Sequence, residues 1–402
     1  MTAYLRRYLL VHGAYMVVVL SLLAWYGLGP RQALAHWDGV HYLQIARSGY
    51  VDKLTFYPDG KPTRMDIAFF PLYPILMAAL HTVTRLPLEV AGLVLSLAAS
   101  LATAVGLGVL LEPLFGRKTA LLTVTVWAVG VDAIIQSMVY AQPLIAAFAV
   151  WGAIAVNRRK LLLGALCAIG AGLSHSTGLG LIVVVMAGSA LAIREAARKK
   201  QWRAAYAPAA AIVLAPLGLI GYIAFLALRF HRLDTWFLAE SAPGWTSNFD
   251  FGKYTVKTLL GQLHASSWFG AVGKADFIAS VWVVPSVGIM LWLLYDAGWW
   301  PSRFRRRPPS PEPPLETSAR PRVPWELTLF ALVTLLVTLT NSGPWNSKPR
   351  FLIPCLALCV PPAIWLAKLE HRPRVQQAII VAVAAVSVLC CYYLDGPSPV
   401  AL

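Results

Sequence analysis

Val90-Ala91-Gly92-Leu93-Val94-Leu95-Ser96-Leu97-Ala98-Ala99-Ser100-Leu101-Ala102-Thr103-Ala104-Val105-Gly106-Leu107-Gly108-Val109-Leu110-Leu111 carries no charged side chain from end to end. At about 1.5 Å per residue, a helix of this length covers the roughly 30 Å hydrocarbon core of a bilayer. Similar runs follow at Tyr8–Leu28, Ala120–Gln136, Tyr140–Val156, Leu161–Ser174, Thr177–Ile193, Ala204–Phe230, Phe277–Tyr295, Trp325–Thr340, Phe351–Leu369 and Gln376–Tyr393. The 402 residues are 58% hydrophobic and 13% charged, with a mean hydropathy of +0.63. Soluble domains carry about 25% charged residues, so the chain reads as an all-α polytopic membrane protein.

The net charge of +16 raises the question of nucleic acid. The cations, however, fall in short clusters between the apolar runs: Arg117-Lys118, Arg158-Arg159-Lys160, Arg194–Arg203, Arg303–Arg307 and His371–Arg374. That placement follows the positive-inside rule and suits anionic headgroups, so no nucleic-acid partner is expected. Arg6 and Arg7 put the N-terminus in the cytoplasm, and the absence of a small-residue cleavage site makes the first run an uncleaved span. All clusters are cytoplasmic if the proline-broken segment Phe69–Val83 is re-entrant or interfacial, which leaves about 11 crossings. Residues 30–67, 231–276 and 341–350 then share the external side, with the turns near Tyr140 and His175. The Pro/Arg/Glu/Ser-rich stretch 301–324 reads as a disordered cytoplasmic linker. No repeat is evident, so 1–402 is taken as one integral-membrane domain.

The first external loop concentrates the chemistry in His36-Trp37-Asp38-Gly39-Val40-His41-Tyr42-Leu43-Gln44-Ile45-Ala46-Arg47-Ser48-Gly49-Tyr50. The spacing predicts a helix from Gly39 with Asp38 at its start, and Asp38, His41, Tyr42 and Ile45 on one face. Two readings of Asp38 stand on spacing alone: a helix cap paired with Arg47 or Lys53, or a functional carboxylate at a membrane edge. Trp37 and Tyr42 are equally well read as interfacial belt aromatics. His36 and His41 lack further ligands at a metal-binding spacing. Cys167, Cys355, Cys359, Cys390 and Cys391 lie in apolar segments without ligand spacing and read as small hydrophobes. No metal site is expected.

This stretch, followed by Ala68-Phe69-Phe70-Pro71-Leu72-Tyr73-Pro74, resembles the signature of the PIG-V family, the GPI mannosyltransferase II proteins and their bacterial relatives within the GT-C glycosyltransferases. Leu233-Asp234-Thr235-Trp236-Phe237 with Trp245, and Ser347-Lys348-Pro349-Arg350-Phe351-Leu352-Ile353-Pro354, resemble later family segments. The resemblance implies a GT-C-type bundle and transfer of mannose from a polyprenyl-phosphate donor. It implies Asp38 as the catalytic carboxylate and Asp66 as a second acidic residue. Departures fall at Tyr140-Ala141-Gln142-Pro143-Leu144, where relatives carry Glu, and at Ser174-His175-Ser176-Thr177-Gly178, where they carry Arg. A Glu and an Arg lost together are a compensated pair or a sign of decay, and GPI-type acceptors are not carried over.

The chain has no Gly-rich phosphate loop after a strand, so a nucleotide-sugar domain is not expected. A lipid-linked sugar phosphate, reached laterally on the extracytoplasmic face of the plasma membrane, supplies the donor instead. Asp38 would deprotonate the glycolipid or glycan acceptor as general base, on the face opposite the leaving group, for an inverting transfer. Arg350 and Lys348 are the candidate phosphate clamps, with headgroup snorkelling as the plain alternative. His41, His175, Asp66 and Gln142 are the remaining candidates for donor phosphate or sugar contacts, His175 being equally readable as an interhelical hydrogen bond. Trp37, Tyr42, Phe69, Phe70 and Tyr73 are expected to wall the lipid entrance. No cofactor beyond the lipid-linked co-substrate is expected. A flippase of lipid-linked glycans and a decayed accessory subunit are the competing classes.

Overall fold

The computed structural model describes residues 1–130, 132–262, 271–299 and 321–394, and everything regular among them is helical. The linker expected at 301–324 lies, up to residue 320, outside the described residues. Helix α1 (Thr2–Trp25) turns Tyr4, Tyr8, His12, Tyr15, Val19 and Leu23 inward, a stripe spaced by three and four residues as a packed helix requires. Short α2 (Pro30–Leu34) and α3 (Asp38–Ser48) follow, then α4 (Leu72–Thr84). At 13 residues α4 is too short to span, which agrees with the interfacial reading of that segment.

Helix α5 (Leu88–Val129) has 42 residues only because two helices join across a bend. Pro113 weakens the ladder, and Gly116 takes φ 79°, a left-handed conformation that glycine reaches without penalty. Beyond it, residues 132–141 run through the protein interior as irregular chain around a short 3₁₀ turn (Ala133–Ser137). Such backbone survives at depth only if its polar groups find partners. They do: Ser96 Oγ donates to the Met138 carbonyl (2.7 Å), Ser100 Oγ to that of Gln136 (3.1 Å), and Val139 N to that of Leu34 (2.9 Å). The Tyr8 hydroxyl donates to Gln136 Oε1 (3.0 Å), and His12 bridges the Ala128 carbonyl and Ser137 Oγ, both at 2.8 Å.

Next come α6 (Gln142–Asn157), α7 (Leu161–Gly172), α8 (Leu179–Arg198), α9 (Tyr206–Leu214) and α10 (Leu217–Phe230). Helices α7 and α10 meet at backbone distance: a Cβ on Gly218 would lie 2.1 Å from the Ile169 carbonyl oxygen. After α11 (Thr235–Glu240), the chain 246–252 pairs with the chain just after α14 (Trp325–Leu339) through an isolated Phe249–Asn341 bridge. Asp250 N donates to the Thr340 carbonyl (2.9 Å), and the Asp250 carboxylate accepts from Gly252 N and Tyr254 N at the start of α12 (Lys253–Gly261). Helix α13 (Ala271–Ala297), a bent run of 3₁₀ turns over 345–359, α15 (Val360–Lys368) and α16 (Pro373–Leu394) complete the bundle.

Among the described residues, six helices are long and apolar enough to cross a membrane, or seven if 345–352 and 356–368 make one bent span, so this is a multi-pass membrane protein. The count falls below the expected crossings. The apolar runs of the sequence continue through turns and 3₁₀ segments where helix stops, so α6, α7 and α14 are apolar yet short.

Candidate active site

A cavity of about 490 Å³ opens at one end of the bundle. Its wall comes from Trp37 and Asp38, from Arg64 and 68–70, from Asp132 and Ile135, from 175–179, and from α10 and α11. The loop 244–249 and the chain 337–351 close it. The segments expected to share one side therefore converge on one space, although each lies far from the others in sequence.

Asp38 is the first residue of α3 and makes no side-chain capping bond. Its carboxylate instead accepts from Arg350 Nη1 at 3.1 Å, with both side chains largely buried (14% and 22% exposed). The capping reading is thus corrected: Arg47 goes to Glu89 (2.6 Å), not to Asp38. The preceding residue makes this possible. Trp37 takes φ 53°, a strained conformation for a non-glycine residue, which swings the chain so that α3 begins at the cavity wall. The Asp38 amide donates to the Tyr140 hydroxyl (3.3 Å), and the Arg350 guanidinium lies 5.1 Å from the Phe351 ring and 6.0 Å from that of Tyr140.

His175 lines the cavity in an extended conformation, and its Nδ1 accepts from Thr177 N at 3.1 Å. A nitrogen that accepts carries no proton, so the proton sits on Nε2. Burial pushes the imidazole pKa down to about 3, and the Arg350 charge adds to the shift. His175 is therefore a neutral donor at physiological pH. Across the cavity, burial raises the Glu240 carboxyl to about 7, with nearby Asp38 adding to the rise and Ser247 and Arg350 opposing it.

The other expected residues divide. Phe69, Phe70 and Trp37 wall the cavity. Tyr42 and Tyr73 do not: they are 1% and 0% exposed, packed edge-on, with the Tyr73 hydroxyl donating to the Gly92 carbonyl (2.9 Å), so they are core rather than entrance. His41 and Asp66 pair at 2.6 Å behind the wall, where His41 stacks on Phe69 and meets the edge of Trp245. They brace the lining and are outside it. Gln142 is buried at the start of α6 and is not in the lining, and its amide atoms have no partner among the described residues. Lys348 is in the wall, but its ammonium already donates to the Thr338 carbonyl (2.5 Å) and the Asn341 carbonyl (2.6 Å). That role is to tie the 338–348 turn together.

Three lining groups escape a reading by motif. Asp132 lies inside what looks like an apolar run, and a carboxylate at such a position was itself a usable signal. Glu240 ends the short α11, and Arg64 donates to the Pro243 carbonyl at 3.1 Å. Gly244 (φ 93°) leaves room for that arginine, since a Cβ there would sit 1.9 Å from its guanidinium. Among the described residues, no group of three or more His, Cys, Asp or Glu side chains converges to hold a metal ion.

No protein-family model matches the chain, and no curated protein matches it. Among solved structures, it is similar to the Archaeoglobus fulgidus oligosaccharyltransferase, crystallised with Zn and sulfate, at a TM-score of 0.43 and 14% identity. The likeness covers 96% of this chain and 52% of that one, so the chain spans about half the length of the structure it matches.

Proposed function

We propose that the protein is a GT-C-type glycosyltransferase of the PIG-V kind. In this reading it moves a mannosyl or other hexosyl residue from a polyprenyl-phosphate donor to a lipid or glycan acceptor on the extracytoplasmic face of the plasma membrane. The observation that carries it is the Asp38–Arg350 pair at 3.1 Å inside a cavity of a membrane bundle. A carboxylate and a guanidinium are the two groups this chemistry needs, and here they wait on each other.

Donor phosphate offers Arg350 a better-matched partner, since the guanidinium fork binds phosphate oxygens bidentately. Its departure frees Asp38 to take the acceptor hydroxyl proton. The acceptor oxygen then bonds the anomeric carbon from the face opposite the phosphate. The carbon–oxygen bond to phosphate breaks, and polyprenyl phosphate leaves with its electron pair. Base catalysis of this kind contributes ~10²–10⁴-fold. His175 Nε2–H donates to a phosphate or sugar oxygen without adding charge. The leaving phosphate is a weak base stabilised by Arg350, so the reading needs no metal. Purified protein in lipid, given polyprenyl-phosphate-mannose and a membrane glycolipid extract, should form a new glycosidic bond, and Asp38→Asn should abolish it. Movement of the intact lipid-linked sugar across sealed vesicles with no new bond would favour a flippase instead.

A further inference from the structure

A second cavity, of about 520 Å³, lies away from the one described and is lined by residues of the α7 start, the α8 end and the approach to α9. Helix α8 connects the two. Leu179, at its start, lines the first cavity, and Glu195, with Lys199 just past its end, lines the second. Twenty residues of helix separate Leu179 from Lys199 by about 30 Å, the thickness of a hydrocarbon core. With α8 crossing the bilayer, the second cavity would face the headgroup layer opposite the first.

Its lining combines cations with apolar side chains. Arg159, Lys160 and Lys199 supply the charge. Glu195 offers one carboxylate oxygen to Arg159 (3.1 Å) and the other to Lys199 (2.7 Å), which aims both cations at the same space and leaves each with further donors. Lys160 makes no ion pair among the described residues. Leu162 and Leu163, in the first turn of α7 just after Arg159 and Lys160, are exposed in the same lining. Trp202 and Tyr206, 63% and 72% exposed at the adjoining helix start, stand where aromatic side chains meet a membrane surface.

The geometry points to a binding site for an anionic glycerophospholipid of this layer, its phosphate between Arg159, Lys160 and Lys199 and its acyl chains along Leu162 and Leu163. Charge fixes the class of headgroup: three cations against one carboxylate attract a net negative lipid and give a zwitterionic one no advantage. The exposed apolar side chains of Leu162 and Leu163 beside the cations favour a lipid over a soluble phosphate. The site is independent of the glycosyl-transfer reading.

The test uses the full chain in detergent. Phosphatidylglycerol, phosphatidylcholine and soluble glycerol phosphate are titrated while thermal unfolding and lipid retained in native mass spectrometry are followed. Phosphatidylglycerol should raise Tm and remain bound, and the other two should do neither. Combined Arg159→Gln, Lys160→Gln and Lys199→Gln should weaken retention roughly tenfold or more. Lys160→Glu alone, at an exposed position, should weaken it with Tm unchanged in lipid-free detergent. Arg372→Gln with Arg374→Gln, in a different basic cluster, should bind as the unaltered chain does. Equal retention in the triple variant, or an equal Tm rise from glycerol phosphate, overturns the assignment.

Discussion

In the proposed transfer Asp38 depends on where its carboxylate points, and its pairing with Arg350 makes the two residues testable together. Arg350→Ala should weaken donor binding well beyond Arg350→Lys, because lysine keeps the charge but loses the fork. A fluorescent lipid-phosphate analogue would measure this, and equal, negligible effects would return Arg350 to headgroup snorkelling. Glu240 gives a pH signature. Its carboxyl, raised to about 7, is neutral below that value and a carboxylate above it, in the cavity where the proposed donor phosphate would sit. Donor affinity should fall as pH rises through about 7, and Glu240→Gln should flatten the profile. His175 works in the other direction on stability. Its native pKa of about 3 lies below the ordinary 6.5, so the unfolded chain takes up a proton first as pH falls. Tm should therefore drop from about pH 6.5 toward 3, and less steeply in His175→Asn. Glu240 offsets part of this, because its raised pKa stabilises the native state below about 7.

Elements meet in this bundle through small residues, as membrane helices do when no water drives them together. The α7–α10 contact is the sharpest case, because α10 also supplies Leu219 and Ile223 to the cavity wall. Gly218→Ala drives a methyl group against the Ile169 carbonyl, which is backbone and has no rotamer to yield. The expected cost is about 1–3 kcal/mol, read as a lower Tm, with the cavity narrowed from that side. The turn 338–348 is held differently. Lys348 binds two carbonyls from within, beneath the Tyr254 and Trp345 rings, so Lys348→Met should loosen the strap that carries Arg350. Such a variant should lose stability as well as donor binding while the Asp38 carboxylate keeps its partner, whereas Arg350→Ala leaves that carboxylate unpaired.

At the scale of the whole molecule, the two cavities sit at opposite ends of α8, and topology becomes measurable. Single cysteines placed in 55–60 and 371–374 should label from opposite sides of a sealed vesicle, the first from outside, and labelling from one side alone would refute the proposed orientation. Composition and run length determined by themselves that this chain is a helical membrane bundle, because hydrocarbon imposes one long apolar pattern that few soluble folds mimic. Asp38 and Arg350 were legible as candidates for a related reason, being charges beside apolar runs. Tertiary structure decided the rest. It drew Asp132 and Glu240 into the cavity, moved Tyr42, Tyr73 and Gln142 into the core, and engaged Lys348 with carbonyls. It also replaced a helix cap by an ion pair joining residues 312 apart in sequence. Periodicity reports which face of one helix is apolar, whereas a site assembled from distant segments depends on how those faces are turned toward each other. That turning is set by kinks and close contacts such as Trp37, Gly116 and Gly218, whose effects reach far beyond their own helices.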